Sequence, residues 1–108
     1  MNALLCLTTC PDLDTAQRIA DALVEERLAA CVNLLPGMQS TYRWQGKVEH
    51  AAEVLLLAKT TRVRMPALQE RIVALHPYEL PEVLAVEAGG LPAYLQWIAR
   101  ETDPSVPA

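Results

Sequence analysis

The sequence has 108 residues, of which 52% are hydrophobic and 20% are charged, and its net charge is −4. This length suits one domain with its own core, and the apolar share favours a buried subunit interface in addition. The acidic balance and the few aromatic residues argue against nucleic-acid binding, and no apolar run is long enough for a membrane helix. Three cysteines behind an N-terminus that does not resemble a signal peptide predict free thiols in the cytoplasm.

The first part of the chain predicts a strand followed by an amphipathic helix. Ala3 to Thr9 is short and apolar and is bounded by Cys10-Pro11, which is typical of a buried strand. Asp12 or Asp14 is a suitable helix cap, and Asp14 with Gln17 resembles a capping box. The helix is expected to run to about Arg27, with an inward face made of Leu13, Ala16, Ile19, Ala20, Leu23 and Val24.

Two long strands, Ala30–Trp44 and Val48–Thr60, dominate the middle of the chain. Gly46 in the turn between them supplies the positive φ that turns of the primed types or type II require. Pro36-Gly37 predicts a bend or bulge in the first strand, because proline cannot donate to a strand ladder. Strands of ~12 residues reach ~40 Å, whereas a domain of this size is about 26 Å across. The hairpin is therefore expected to project beyond its domain and to meet another chain.

The remaining pattern completes an α+β domain. Thr60 or Thr61 is a suitable cap for a second helix that runs through Arg71 to Leu75 and ends at His76-Pro77. Glu82–Ala88 alternates as a fourth strand, and Pro92 opens a last helix. The order β-α-β-β-α-β predicts one ferredoxin-like domain over residues 1–101, with a flexible tail at 102–108. The helices would cover one sheet face, and other subunits would cover the other face.

The three cysteines do not form a metal-binding pattern on their own. Cys6 and Cys10 face the same side of a strand but lie about 13 Å apart, so we expect small buried residues. Cys31 is either a buried small residue or a soft ligand for Cu(I) or zinc, if another element or subunit brings His or Glu. No serine has the context of a catalytic nucleophile and no triad is evident, so an enzyme is not predicted.

The segment His76-Pro77-Tyr78-Glu79-Leu80-Pro81-Glu82 is the densest polar cluster of the sequence. Two prolines stiffen a loop that carries an imidazole, a phenol and two carboxylates, and such loops are frequent functional sites. His76 is equally consistent with a cap at the end of the preceding helix. Basic residues also gather near the start of that helix, where they indicate either a small-anion site or a solvated helix face: Lys59, Arg62, Arg64 and Arg71.

Several motifs resemble those of the CutA family of divalent-cation (copper) tolerance proteins. They are Leu28-Ala29-Ala30-Cys31-Val32-Asn33, Tyr42-Arg43-Trp44-Gln45-Gly46-Lys47-Val48, Lys59-Thr60 and the His76–Glu82 segment, in an order that runs from about Leu4 to Arg100. The resemblance implies a ferredoxin-like subunit in a tight homotrimer, with hairpins that pair between subunits as in the PII signal-transduction proteins. It also implies a cytoplasmic protein that responds to metal ions and binds copper.

The resemblance, together with Arg62 from the basic cluster, predicts three groups of site residues. The candidate metal ligands are Cys31, His76 and Glu79, the candidate ligand cleft consists of Lys59, Arg62, Tyr78 and Glu82, and the trimer contacts of the hairpin are Tyr42, Trp44 and Gly46. The leading hypothesis is weak binding of copper or another divalent cation between subunits. The alternatives are a PII-like sensor of a small anionic ligand in the intersubunit clefts, and a stable assembly scaffold.

Overall fold

A computed structural model describes residues 2–108 as a four-stranded antiparallel sheet with three helices. The elements in chain order are β1 (Ala3–Cys10), α1 (Leu13–Glu25), β2 (Cys31–Trp44), β3 (Lys47–Thr61), α2 (Met65–Leu75), β4 (Leu84–Glu87) and α3 (Pro92–Glu101). The strand order is β2-β3-β1-β4, which is the order that a β-α-β-β-α-β ferredoxin-like chain produces. The predicted α+β fold is confirmed.

The hairpin of β2 and β3 projects beyond the rest of the domain as a long arm. Its strands have 14 and 15 residues, and the molecule measures 44 × 26 × 22 Å. At the tip, Trp44 pairs with Lys47 across a two-residue turn in which Gln45 has φ +50° and Gly46 has φ +81°. Two consecutive positive φ angles are the signature of a primed turn, whose twist suits a hairpin. β1 reaches only Val54, so the outer part of β3 is paired on one side only.

A β-bulge at Pro36-Gly37 sets which side chains of the arm share a face. Leu35 pairs with Leu55 and Met38 pairs with Glu53, so β2 uses one residue more than β3 over this span. Gly37 has φ +84°, a backbone conformation that suits glycine. The extra residue keeps Met38 on the same face as Leu35 and carries Tyr42 and Trp44 onto that face as well.

One face of the sheet is covered by α1 and α2, and the core lies there. Its fully buried side chains include Cys6, Cys10, Ile19, Leu23, Leu56, Leu68 and Ile72. Both cysteines are therefore core residues, as predicted. On α1 the predicted stripe is correct in its middle, but Leu13 and Val24 at its ends are exposed.

The opposite face of the sheet, here called the open face, carries a band of apolar side chains. Directly paired residues of antiparallel strands project from the same face, which places Leu5, Leu7, Leu35, Leu55, Leu57, Leu84 and Val86 together. Leu35, Leu84 and Val86 are each about half exposed. The end near Thr61 is covered by α3, through the buried residues Ile98 and Thr102.

The start of α1 matches the prediction, and its end does not. Asp12, one of the two residues predicted as its cap, accepts a hydrogen bond from the Thr15 amide at 2.7 Å. α1 ends at Glu25, and Arg27 follows in the left-handed region with φ +58°. Its side chain donates to the carbonyl oxygen of Arg100 at 3.0 Å, so this strained residue links α1 to the end of α3.

The expected threonine cap of α2 was also wrong. β3 continues through Thr61, and α2 begins at Met65 after Arg64, without a side-chain cap. The hydroxyl of Thr60 instead donates to the carbonyl oxygen of Leu28 at 2.7 Å inside the core. The fourth strand is shorter than predicted, because only Leu84–Glu87 pairs with β1.

Candidate functional site

A groove of about 920 Å³ lies where the arm leaves the domain, between β2, β3 and the loop after α2. Aromatic rings and carboxylates dominate its lining, which consists of Thr9, Ser40, Thr41, Tyr42, Trp44, Glu53, Pro77, Tyr78, Glu79, Leu80, Pro81 and Glu82. The bulge in β2 is the reason that Tyr42 and Trp44 face this groove. No lysine or arginine is present among these lining residues, so the groove is negatively charged.

His76 anchors the loop that closes one side of the groove. β4 pairs with β1 only as far as Leu7, and beyond that point the Nε2 atom of His76 donates to the carbonyl oxygen of Thr9 at 2.7 Å. The other ring nitrogen, Nδ1, accepts a hydrogen bond from the Tyr78 amide at 3.1 Å. These two partners specify the neutral imidazole with its proton on Nε2. Because His76 is buried and both nitrogens are bonded, neither is free to coordinate a metal in this conformation.

Tyr78 connects the loop to the arm. Its ring lies 4.6 Å from the His76 ring, centroid to centroid, and its hydroxyl donates to Oε2 of Glu53 at 2.8 Å. Burial raises the pKa of the Tyr78 phenol, and the hydrogen bond to Glu53 raises it further, so the phenol keeps its proton. Burial, followed by the charge of Glu53, also raises the pKa of Glu82. A buried carboxylate with one phenol partner and a second carboxylate nearby therefore lines the floor of the groove.

Cys31, the first residue of β2, lies away from the groove in a separate cluster with Lys59 and Tyr94. Cys31 and Lys59 are direct partners across β2 and β3, and the Lys59 ammonium donates to the Cys31 sulfur at 3.9 Å. The same ammonium donates to the Tyr94 hydroxyl at 3.3 Å. The bond to Tyr94 is the largest of the effects that raise the pKa of Lys59, with smaller ones from Cys31, while partial burial opposes them.

The three thiols differ in accessibility. Burial raises the pKa of Cys6 and of Cys10 to about 11, so both remain protonated in the core. Cys31 is only partly buried. Among the residues that the structure describes, it is therefore the one thiol within reach of a soft metal ion.

The basic residues around α2 do not converge. Arg62 donates to Oε1 of Glu87 at 2.6 Å, beside a second groove between α2 and β4. Arg64 donates to the carbonyl oxygens of Glu26 and Arg27 at the end of α1, and Arg71 forms an ion pair with Glu26 at 3.0 Å. Arg64 and Arg71 thus stabilise the C-terminal end of α1, where positive charge is favoured.

The structure separates residues that the sequence grouped together. Cys31 and Lys59 lie about 20 Å along β3 from Glu53 and Tyr78, given six residues at ~3.3 Å each. One chain therefore does not bring Cys31 to His76 and Glu79, nor Lys59 and Arg62 to Tyr78 and Glu82. Within residues 2–108, no three His, Cys, Asp or Glu side chains are placed to hold a metal ion. Among the described residues, a single chain therefore does not fit a resident metal.

Two residues of these clusters were not predicted from the sequence. Glu53 is buried at the groove and accepts a hydrogen bond from the Tyr78 hydroxyl. Its burial could have been predicted, because it lies next to the apolar residues of β3 in the sequence. Tyr94 had no such signal, since its contact with Lys59 depends on where α3 packs. Tyr42 and Trp44, predicted as trimer contacts of the hairpin, share the open face and are 44% and 38% exposed in this single chain.

Comparison with known proteins gives one consistent result. Residues 4–101 match the family model described as CutA1 divalent ion tolerance protein. The Divalent-cation tolerance protein CutA of Thermus thermophilus is 54% identical over 97 residues, which is 89% of this chain and 94% of that protein. Human Protein CutA is 50% identical over 97 residues, which is 88% of this chain but 54% of the human protein. The chain thus spans about half the length of that relative.

Solved structures agree with the sequence matches. The crystal structure of CutA from Xylella fastidiosa has a TM-score of 0.93 and 54% identity, and the match covers 95% of this chain and 100% of that one. The names of other relatives differ in compartment: an Arabidopsis thaliana relative is chloroplastic, and a structure from Archaeoglobus fulgidus is called periplasmic. In residues 2–108, no helix has the length and apolar character needed to cross a membrane. The family match over nearly the whole chain shows that this protein belongs to the CutA1 divalent ion tolerance family.

Proposed function

We propose that this protein acts in divalent metal-ion tolerance as a non-enzymatic cytoplasmic homotrimer. It would bind copper weakly and transiently at the boundary between subunits. The observation that carries the proposal is the position of Cys31. Its thiol is partly exposed at the edge of the open face, whereas the other two thiols are buried in the core. A thiolate is a suitable ligand for Cu(I), and one ligand per chain gives weak binding unless a second copy adds others.

The open face supports association of several copies. Its apolar band includes half-exposed leucine and valine side chains, and the arm adds Tyr42 and Trp44 to the same face. Contiguous apolar surface of this kind marks an interaction site rather than a solvated surface. The outer part of β3 and the free edge of β4 also offer unpaired backbone groups to another strand. Trimeric assembly would cover both features.

In such an assembly, the candidate ligands could meet across subunits although one chain keeps them apart. Glu79 is exposed in the loop, so it remains a candidate second ligand from a neighbouring copy. His76 would first have to release Thr9 or Tyr78, which makes it a weaker candidate. The anionic-ligand alternative has less support, because the large groove is lined by carboxylates and the basic residues bind elsewhere.

The test is a titration of the reduced protein with Cu(I) and with Cu(II) against a chromophoric chelator, together with sedimentation analysis. We expect one weakly held copper per chain, lost in Cys31→Ala and retained in Cys6→Ala, and a particle of three chains. His76→Gln, with Glu79→Gln beside it, shows whether either side chain joins the site from a neighbour. Copper affinity that is identical in Cys31→Ala and the unaltered protein would overturn the proposed site.

A further inference from the structure

We propose that the groove at the base of the arm binds a small organic cation with two ammonium groups, of the class of short alkyl diamines. The groove has a volume of about 920 Å³, which suits a small molecule, and its lining includes three aromatic rings and three carboxylates. Cys31 is not part of this lining, so the inference goes beyond the proposed copper site and does not depend on it.

The carboxylate of Glu53 is buried at the groove without a positive partner. The residue is only 8% exposed, and its Oε2 atom accepts a hydrogen bond from the neutral Tyr78 hydroxyl at 2.8 Å. Within residues 2–108, its other oxygen, Oε1, has no hydrogen-bond partner and is not enclosed by protein atoms, so it opens into the groove. A buried carboxylate is normally paired with a cation, because an uncompensated charge is costly to bury. The groove is therefore the place where a cation would pair with Glu53.

Two further carboxylates increase the negative charge of the groove. Burial, followed by the charge of Glu53, raises the pKa of Glu82, so these two carboxyl groups oppose each other's ionisation. A positive group between them would relieve this repulsion. Glu79 also lines the groove from the exposed loop, and no lysine or arginine lies among the lining residues. This excess of negative charge favours a ligand with more than one positive charge.

The lining suits an organic cation better than a metal ion. Within the described part of the chain, no three His, Cys, Asp or Glu side chains are placed to hold a metal. An ammonium group needs fewer acceptors and also binds to the faces of aromatic rings, of which tryptophan is the best. Tyr42 and Trp44 supply such faces, and Leu80 and Pro81 supply apolar surface for an alkyl chain. A diamine would thus use both the carboxylates and the apolar part of the lining.

The first experiment is calorimetric titration of the full chain, in its own state of assembly, with three probes of equal chain length. These are 1,4-diaminobutane, butylamine and 1,4-butanediol, which carry two, one and no positive charges. At fixed ionic strength we expect the diamine to bind at least about fivefold more tightly than the monoamine, the factor for one added charge about 4 Å from a carboxylate in a water-like environment. The diol should not bind, and an equal concentration of magnesium chloride should displace little of the diamine.

The second experiment repeats the diamine titration with three variants. Glu53→Gln removes the buried charge but keeps the shape and an acceptor for Tyr78, so we expect at least about a fivefold loss of affinity. Tyr78→Phe breaks the same contact between loop and arm but keeps the charge and the ring, so most of the affinity should remain. Glu25→Gln, at the exposed end of α1 on the other side of the sheet, is the matched control for loss of one carboxylate and should change nothing.

Three outcomes would overturn the proposal. Equal losses of affinity in Glu53→Gln and Tyr78→Phe would mean that the position of the loop, and not the buried charge, governs binding. Displacement of the diamine by magnesium ions at equal concentration would mean that the groove is only a general acidic surface. Absence of diamine binding to the assembled protein would mean that a neighbouring copy fills the groove.

Discussion

Replacement of His76 tests its role as an anchor of the loop. In His76→Ala the carbonyl oxygen of Thr9 loses its hydrogen-bond donor, which lies 2.7 Å away. Thr9 is only 9% exposed, so the unpaired carbonyl lowers the free energy of unfolding by about 1–3 kcal/mol. The missing ring leaves a cavity and frees the Tyr78 amide, so we expect a total loss of about 3–5 kcal/mol in the free energy of unfolding.

His76→Gln provides the matched comparison. The glutamine amide can donate from a position near Nε2 but offers no acceptor where Nδ1 receives the Tyr78 amide. We therefore expect a loss of only about 1 kcal/mol, the value of one ordinary hydrogen bond. Urea unfolding followed by tryptophan fluorescence, at fixed protein concentration, measures both variants. Equal destabilisation of the two variants, or less than about 1 kcal/mol for His76→Ala, would refute the anchoring role.

Three further predictions concern the core, the groove and the arm. Thr8 is fully buried and its hydroxyl is without a hydrogen-bond partner in the described part of the chain, so Thr8→Val should stabilise the fold by about 1–2 kcal/mol in urea unfolding, whereas Thr8→Ser should not. The folded-state pKa of Glu82 is raised, so its contribution to stability is fully present below its ordinary pKa of 4.5 and is lost as pH rises through the folded value. Glu82→Gln should accordingly gain stability at neutral pH and show no advantage in acid, and a pH-independent difference would contradict this. Trp44→Ala should weaken association by roughly 3–5 kcal/mol per site if a second copy buries the ring, and unchanged sedimentation on dilution would count against that contact.

Much of the fold could be predicted because local signals agreed with one another. Glycine and proline marked the turn at Gly46 and the bulge at Gly37, and both positions have the positive φ that these features require. The threonine cap of α2 failed because threonine also favours strands, and Thr60 is buried in the sheet. The end of α1 was misplaced because Arg27, not glycine, occupies the left-handed position, held there by contacts with α3.

The candidate site was less predictable than the fold. Motif residues were identified individually, but their grouping depends on register along β3, where Lys59 and Glu53 lie at opposite ends of one strand segment. The partners of His76 are a backbone carbonyl oxygen and a backbone amide, which no side-chain pattern reports. The contact between Lys59 and Tyr94 depends on the packing of α3, which is set by the buried Ile98 and Thr102 rather than by Tyr94 itself.

The extra residue in β2 constrains how the arm can change in length during evolution. Because successive side chains of a strand alternate between faces, deletion of Gly37 would move Tyr42 and Trp44 from the open face to the opposite one. Insertions or deletions between the bulge and the tip would keep Tyr42 and Trp44 on the open face only if each strand changed by an even number of residues. Beyond the bulge, each strand of the arm in related proteins should therefore differ in length by an even number of residues. A change of a single residue should occur only beside a second, compensating bulge.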